Sequence, residues 1–165
     1  MKPMFLSAMA SGEGSPESMK SGKTVSYELE LMNNAKKQKK PISGLETMEF
    51  QMGLFDSIPY DVQAQMLVES IKVGSSGGDD LEEMTKIYKS QDIEAMQSMM
   101  SSDTEGIGRY EELLLTKRNE NWIPKMKTQM KDKAVFFAVG AGHLGGKKGV
   151  IQLLEKEGYT LTPIK

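Results

Sequence analysis

The apolar positions of this chain change period several times, and each change marks an element. Between Thr24 and Lys39, Val25, Leu29, Met32 and Ala35 recur at spacings of 4, 3 and 3, which lines one face of a helix. Lys36, Lys37, Lys39 and Lys40 suit the end of that helix, where cations meet its negative pole, and Pro41 stops it. Pro41 to Leu45 reads as a short buried strand that closes at Glu46. A helical stretch with Met48, Met52 and Phe55 then turns at Ile58 and Pro59. The next helix runs from Asp61, its expected cap, through Met66, Leu67 and Ile71 to Gly74. Asp79 heads a helix carrying Leu81, Met84, Ile87 and Tyr88. Ile93 to Met100 is a Met-rich amphipathic stretch, which fills a core or offers an adaptable binding surface. Ser102 or Thr104 opens a long helix toward Lys131, which Pro124 is expected to kink or break.

The period is lost at Ala134 to Gly140, AVFFAVG, a β-branched and aromatic run without alternation. Such a run predicts a strand buried on both faces. A Gly-rich turn, a helix over Val150 to Lys156, Gly158 as its C-cap and a last strand over Thr160 to Ile164 complete the pattern. Helices interleaved with three short strand candidates predict an α/β fold, helix-rich, with a small and mostly parallel sheet. So small a sheet leaves edges to be paired by further strands or by a second copy of the chain, so a homo-oligomer through an unpaired sheet edge is expected.

Composition narrows the function more than the fold. The 165 residues hold 21 Lys and Arg against 23 Asp and Glu, a net charge of −2, which disfavours nucleic acid as a partner because that needs a basic face. There is no Cys, so disulfides, thiolate nucleophiles and Cys-ligated zinc are all excluded. The longest apolar run, Ala134 to Gly142, is about half of what a membrane-spanning helix needs. The first ten residues have a Lys and a small-x-small pattern reminiscent of a secretion signal, but the apolar stretch between them is too short. Residues 1–23 read as a flexible segment, rich in Ser, Gly, Glu and Lys, and 24–165 as a single domain.

Chemistry concentrates at Gly140-Ala-Gly-His-Leu-Gly-Gly146, a turn after the strongest strand and before a helix, where α/β sheets place their ligands. Gly140, Gly142 and Gly145 match G-x-G-x-x-G, and with Lys147 and Lys148 they suggest a phosphate site, but the acidic residue expected about 20 positions on is missing. His143, the one imidazole in the chain, is alternatively the point of the loop, as a metal ligand or as a structural histidine in a tight turn. Glu46, at a strand's carboxyl end, can ligate a metal, act as a base or cap the next helix. Arg118 shares a helix face with Leu114 and Trp122 and needs an anion or a route to solvent. Asn119 can fix a backbone group or a ligand.

These places also carry a resemblance. Pro41-Ile-Ser-Gly-Leu-Glu-Thr-Met-Glu-Phe-Gln51, Lys117-Arg-Asn-Glu-Asn-Trp122 and Val139-Gly-Ala-Gly-His-Leu-Gly-Gly146, running on to Gly158-Tyr-Thr-Leu-Thr-Pro163, resemble the TraB/GumN family in order and spacing. That family includes the vertebrate Tiki proteins, regarded as divalent-metal-dependent proteases that use two G-x-x-H motifs and a glutamate. The resemblance implies an α/β fold related to the erythromycin-esterase and ChaN-like proteins, and a protease-like, metal-dependent hydrolase acting on a peptide or protein substrate. Many bacterial members are exported or associated with the cell envelope.

Residue by residue, the resemblance makes His143 a metal ligand within the second G-x-x-H, with Gly140 and Gly142 forming its turn. It makes Glu46 an acid/base or ligand, and Arg118 with Asn119 the catalytic "RN" pair. Lys117 stands where the family commonly has Glu. No second His is present to form the first G-x-x-H, so the chain is similar to the C-terminal part of a family member. A divalent metal of the manganese, cobalt or zinc class would then bind weakly or not at all, and the chain alone would be inactive. The alternative from another class is a non-catalytic module that binds a protein or peptide through its Met-rich helices or an exposed sheet edge.

Overall fold

Local capping explains most of the helices. In a computed structural model, which describes Pro3, Leu6, Ser21 and residues 25–76, 79–102 and 107–164, the chain divides into two compact units, 1–78 and 79–165. The expected flexible segment falls almost wholly outside the described residues. In the first unit α1 spans Tyr27–Lys37, with Ser26 Oγ accepting from the Leu29 amide. Its apolar face is formed but not buried: Val25, Leu29 and Met32 are all exposed. α2 spans Met48–Asp56 and is capped by Thr47, whose Oγ1 accepts from the Phe50 amide at 3.1 Å. α3 spans Tyr60–Ser76. It begins at Tyr60 rather than Asp61 because Pro59 fits immediately before a helix, with its carbonyl accepting from the Gln63 amide.

The corner between α2 and α3 is held by a polar side chain. Gln63 is fully buried, and its Nε2 donates at 2.8 Å to the carbonyls of both Phe55 and Ile58. The Phe55 carbonyl also accepts from the Ile58 amide at 3.3 Å, so the one side-chain amide reinforces the backbone acceptors where α2 ends. Leu54 and Ile58 are the buried apolar side chains of this unit.

The second unit contains α4, Asp79–Ser90, and α5, Ile93–Ser102, whose start is capped by Asp92 accepting from the Ala95 amide at 2.9 Å. A 3-10 turn at Ile107–Tyr110 and a π turn at Glu112–Thr116 lead into α6, Lys117–Met130. Pro124 does not break α6, which continues for a further six residues; the irregularity lies upstream, in the π turn. A 3-10 turn at Ala141–His143 and α7, Val150–Lys156, complete the unit. Gly158 takes φ of +89°, the left-handed C-cap expected of it. Met96, Trp122, Ile123, Met126 and Val150 are buried.

The α/β expectation is overturned: no strand or sheet occurs among the described residues. Pro41 to Leu45, Ala134 to Gly140 and Thr160 to Ile164 are not helical, but none pairs into a ladder. β-propensity records a fit to a pleated, half-buried surface, and the ladder itself must come from a neighbour that local sequence does not encode. The exposure of AVFFAVG shows this directly. Val135, Phe137 and Val139 are half-buried, whereas Phe136 between them is 77% exposed. The run expected to be buried on both faces therefore alternates. Ile42 is 50% exposed and Ile164 95%. Without a sheet, the expected association through an unpaired sheet edge has no edge to use. No helix among the described residues is long and apolar enough to cross a membrane.

Candidate functional site

α6 presents Arg118, Asn119 and Trp122 from its first turn and a half. Asn119 is 2% exposed, and its amide is fixed by the backbone: Nδ2 donates to the carbonyl of Lys148 at 2.9 Å and to that of His143 at 3.3 Å. Both acceptors can only accept, so this end of the amide is the nitrogen and the other is the oxygen. That oxygen, Oδ1, lies 2.6 Å from His143 Nδ1. Nδ1 must therefore carry a proton, and in the neutral ring the lone pair falls to Nε2. A buried asparagine has selected one imidazole tautomer.

The imidazole is also set by packing. The His143 amide donates to the Gly140 carbonyl at 2.9 Å, which closes the 3-10 turn. The ring lies against the indole of Trp122, centroids 4.4 Å apart and planes tilted by 42°. The residue is 8% exposed. The Arg118 guanidinium carbon sits 5.2 Å from the centre of the same indole, and its Nη1 donates to the Leu114 carbonyl at 2.9 Å. Trp122 is thus flanked by a cation and an imidazole. Its Nε1 is a buried donor with no partner among the described residues.

The glycines are explained by packing rather than by an approaching ligand. A Cβ on Gly145 would stand 2.7 Å from the Ile93 carbonyl of α5, and one on Gly149 would strike the carbonyls of Leu144 and Gly145. These two let the turn fold onto itself and onto α5. A Cβ on Gly142 would meet only the flexible end of Met100, and one on Gly140 would meet nothing nearer than a ring carbon of His143 at 3.8 Å.

Of the residues singled out from sequence, Arg118, Asn119, Gly140, Gly142 and His143 lie together in the second unit. Glu46 belongs to the first unit, is half-buried and accepts from Gln51 Nε2 at 3.3 Å. It does not cap α2, because Thr47 does. Two features escaped the sequence reading. One is Gly149, hidden because a G-x-G-x-x-G frame does not reach it. The other is a cleft of about 590 Å³ lined from α5, the π turn, α6, the Gly-rich loop and α7. No local motif announces residues gathered from five segments.

A family model described as TraB/PrgY/gumN family matches residues 1–163. The chain belongs to the TraB/PrgY/gumN family. The match takes in the first 23 residues as well as the part that carries the quoted motifs. No curated relative and no solved structure matches the chain. Membership of this family raises the question of a metal, and the geometry answers it for the described residues. No three His, Cys, Asp or Glu side chains come together among them, and His143 alone is short of the three protein ligands of a catalytic metal. The residues present do not make a metal site by themselves.

Proposed function

We propose that this TraB/PrgY/gumN member serves hydrolysis of a peptide or protein substrate, with His143 as the imidazole arm of a divalent-metal-dependent site. The observation that carries this reading is the Asn119 to His143 bond, which leaves His143 Nε2 as the nitrogen with a lone pair, able to take a proton or to act as a ligand. Trp122 walls one side of the ring and limits water there. Arg118, held over the same indole, brings positive charge suited to an anionic tetrahedral intermediate. For Glu46, which belongs to the first unit, an acid/base or ligand role rests on its place in the family motif alone.

The test is a peptide-cleavage assay on the purified chain with and without Mn²⁺, Co²⁺ or Zn²⁺, alongside calorimetric titration of each metal. Turnover close to background, with weak metal binding that His143→Ala abolishes, is the expected result. Robust cleavage that survives His143→Ala, or tight metal binding indifferent to that change, would sink the reading.

A further inference from the structure

The cleft in the second unit does not include the His143 side chain among its walls, and its chemistry differs from that of the imidazole site. One wall carries Glu111, from the start of the π turn, and Glu94 and Gln97 of α5. Glu111 is held in place: Ser101 Oγ donates to its Oε2 at 2.9 Å and Gln97 Nε2 to its Oε1 at 3.3 Å, while Gln97 also donates to Ser101 at 2.6 Å. Each carboxylate oxygen so occupied has a further lone pair. Glu94 accepts weakly from the Gly146 amide at 3.4 Å across the cleft. Lys147 and Lys148 line the loop side, with Lys148 paired to Glu120.

A second observation is independent of the carboxylates. Thr116 lines the same cleft, is 8% exposed, and its hydroxyl has no hydrogen-bond partner among the described residues. A helical threonine ordinarily returns its hydroxyl to a carbonyl one turn back, as Thr128 does to Pro124 at 2.9 Å. Thr116 ends the π turn, an irregularity that recurs at functional sites. A hydroxyl on a residue this buried that no described protein group meets, and that is still reachable from an open cleft, is free to bond a ligand atom.

We propose that this cleft binds a primary ammonium group of a peptide-like ligand. Three N–H donors of an ammonium match the carboxylate of Glu111, that of Glu94 and the hydroxyl of Thr116, all of which accept. The lysines of the loop side give the cleft both signs of charge, so a ligand with an ammonium at one end and carbonyl or carboxylate oxygen at the other fits better than a simple diamine. An N-terminal amine and a lysine side chain present the same group, and the experiment separates them. The inference stands whether or not the chain hydrolyses anything.

Binding is measured by NMR shift perturbation on the whole chain, at low salt and neutral pH. The probes are glycyl-glycine amide, its N-acetylated form, N-acetyl-lysine amide and N-acetyl-norleucine amide. Binding of the first assigns the site to a peptide N-terminus, and binding of the third to a lysine side chain. In either case the shifts fall on Glu94, Glu111 and Thr116, and the uncharged partner probe does not bind. Glu111→Gln, which removes the charge and leaves one acceptor where Ser101 and Gln97 use two, weakens binding about tenfold or more, and Thr116→Val weakens it severalfold. Since Thr116→Val is nearly isosteric and Glu94→Gln is exposed, at least one variant remains folded. Failure of both charged probes, equal binding of the acetylated and norleucine forms, or indifference to all three substitutions would overturn the proposal.

Discussion

Asn119 Oδ1 and His143 Nδ1 stand 2.6 Å apart across 24 residues of sequence, and this pair ties the start of α6 to the Gly-rich turn. The amide does three things at once, because Nδ2 also serves the His143 and Lys148 carbonyls. Removing it leaves a buried N–H and two carbonyls short of partners. Each such group costs about 1–3 kcal/mol, and partial access of water reduces the sum. Asn119→Ala is therefore expected to destabilise the chain by about 2–4 kcal/mol. It should also release the tautomer: nitrogen-15 NMR of the imidazole shows Nδ1–H in the native chain and a mixture in the variant. A native Nε2–H spectrum would contradict the assignment.

The unpartnered Nε1 of Trp122 makes a contrasting case. Its indole is 4% exposed and covers the imidazole, so truncation to alanine opens a cavity and costs about 3–5 kcal/mol. Trp122→Phe loses volume but also removes a buried donor that has nothing to bond, and the two effects oppose. Its expected cost is within about 1 kcal/mol, far below that of the alanine variant. Urea unfolding of the two variants checks the difference, and equal losses would mean that the indole N–H is paired.

What was legible in the sequence follows from how far apart the causes lie. α2, α5 and α7 appear where periodicity puts them, and Gly158 is the cap expected of it; the caps at Thr47 and Asp92 escape the sequence reading, although each acts within a few residues of its own helix. AVFFAVG reads as a buried strand and is neither paired nor buried on both faces: a ladder depends on a neighbour elsewhere, and Phe136 projects to solvent among the described residues. At the site, motif and spacing singled out His143 and Asn119 separately. Their bond required the fold, because nothing local tells Asn119 that a histidine 24 residues on will present Nδ1 to it. The cleft was illegible for the same reason.

The two sorts of glycine in the turn should respond differently to a methyl group. At Gly145 a Cβ meets the backbone carbonyl of Ile93 at 2.7 Å, and backbone does not swing aside as a side chain does. Gly145→Ala is expected to lose about 1–3 kcal/mol as α5 and the turn are forced apart. Gly140 has φ −60° and ψ 145°, a conformation open to any residue, and its nearest neighbour at 3.8 Å is in ordinary contact. Gly140→Ala should stay within about 0.5 kcal/mol of the parent. Thermal unfolding of both variants tests this, and the reverse order would refute the packing explanation of the turn.

Surface ion pairs set the pH limits in opposite directions. Hydrogen bonding to Glu157 and then its charge raise Lys127 above its ordinary 10.5, and Glu120 does the same to Lys148. A cation whose folded value lies above its unfolded one adds stability in full below the unfolded value, and that stability fades as pH climbs through the folded value. Glu28 behaves conversely. The Ser26 hydroxyl donates to it at 2.7 Å and holds it below its ordinary 4.5, so its contribution is present above that value and is lost as pH falls through the lowered one. All three groups are exposed, so each effect is small and salt-sensitive. Melting temperature followed against pH should decline more gently on the alkaline side for Lys127→Met with Lys148→Met than for the parent. Ser26→Ala, which removes the α1 cap and the Glu28 donor together, should lower stability at neutral pH and flatten the acid limb. An alkaline limb unchanged by the double substitution would show that neither lysine is paired in solution.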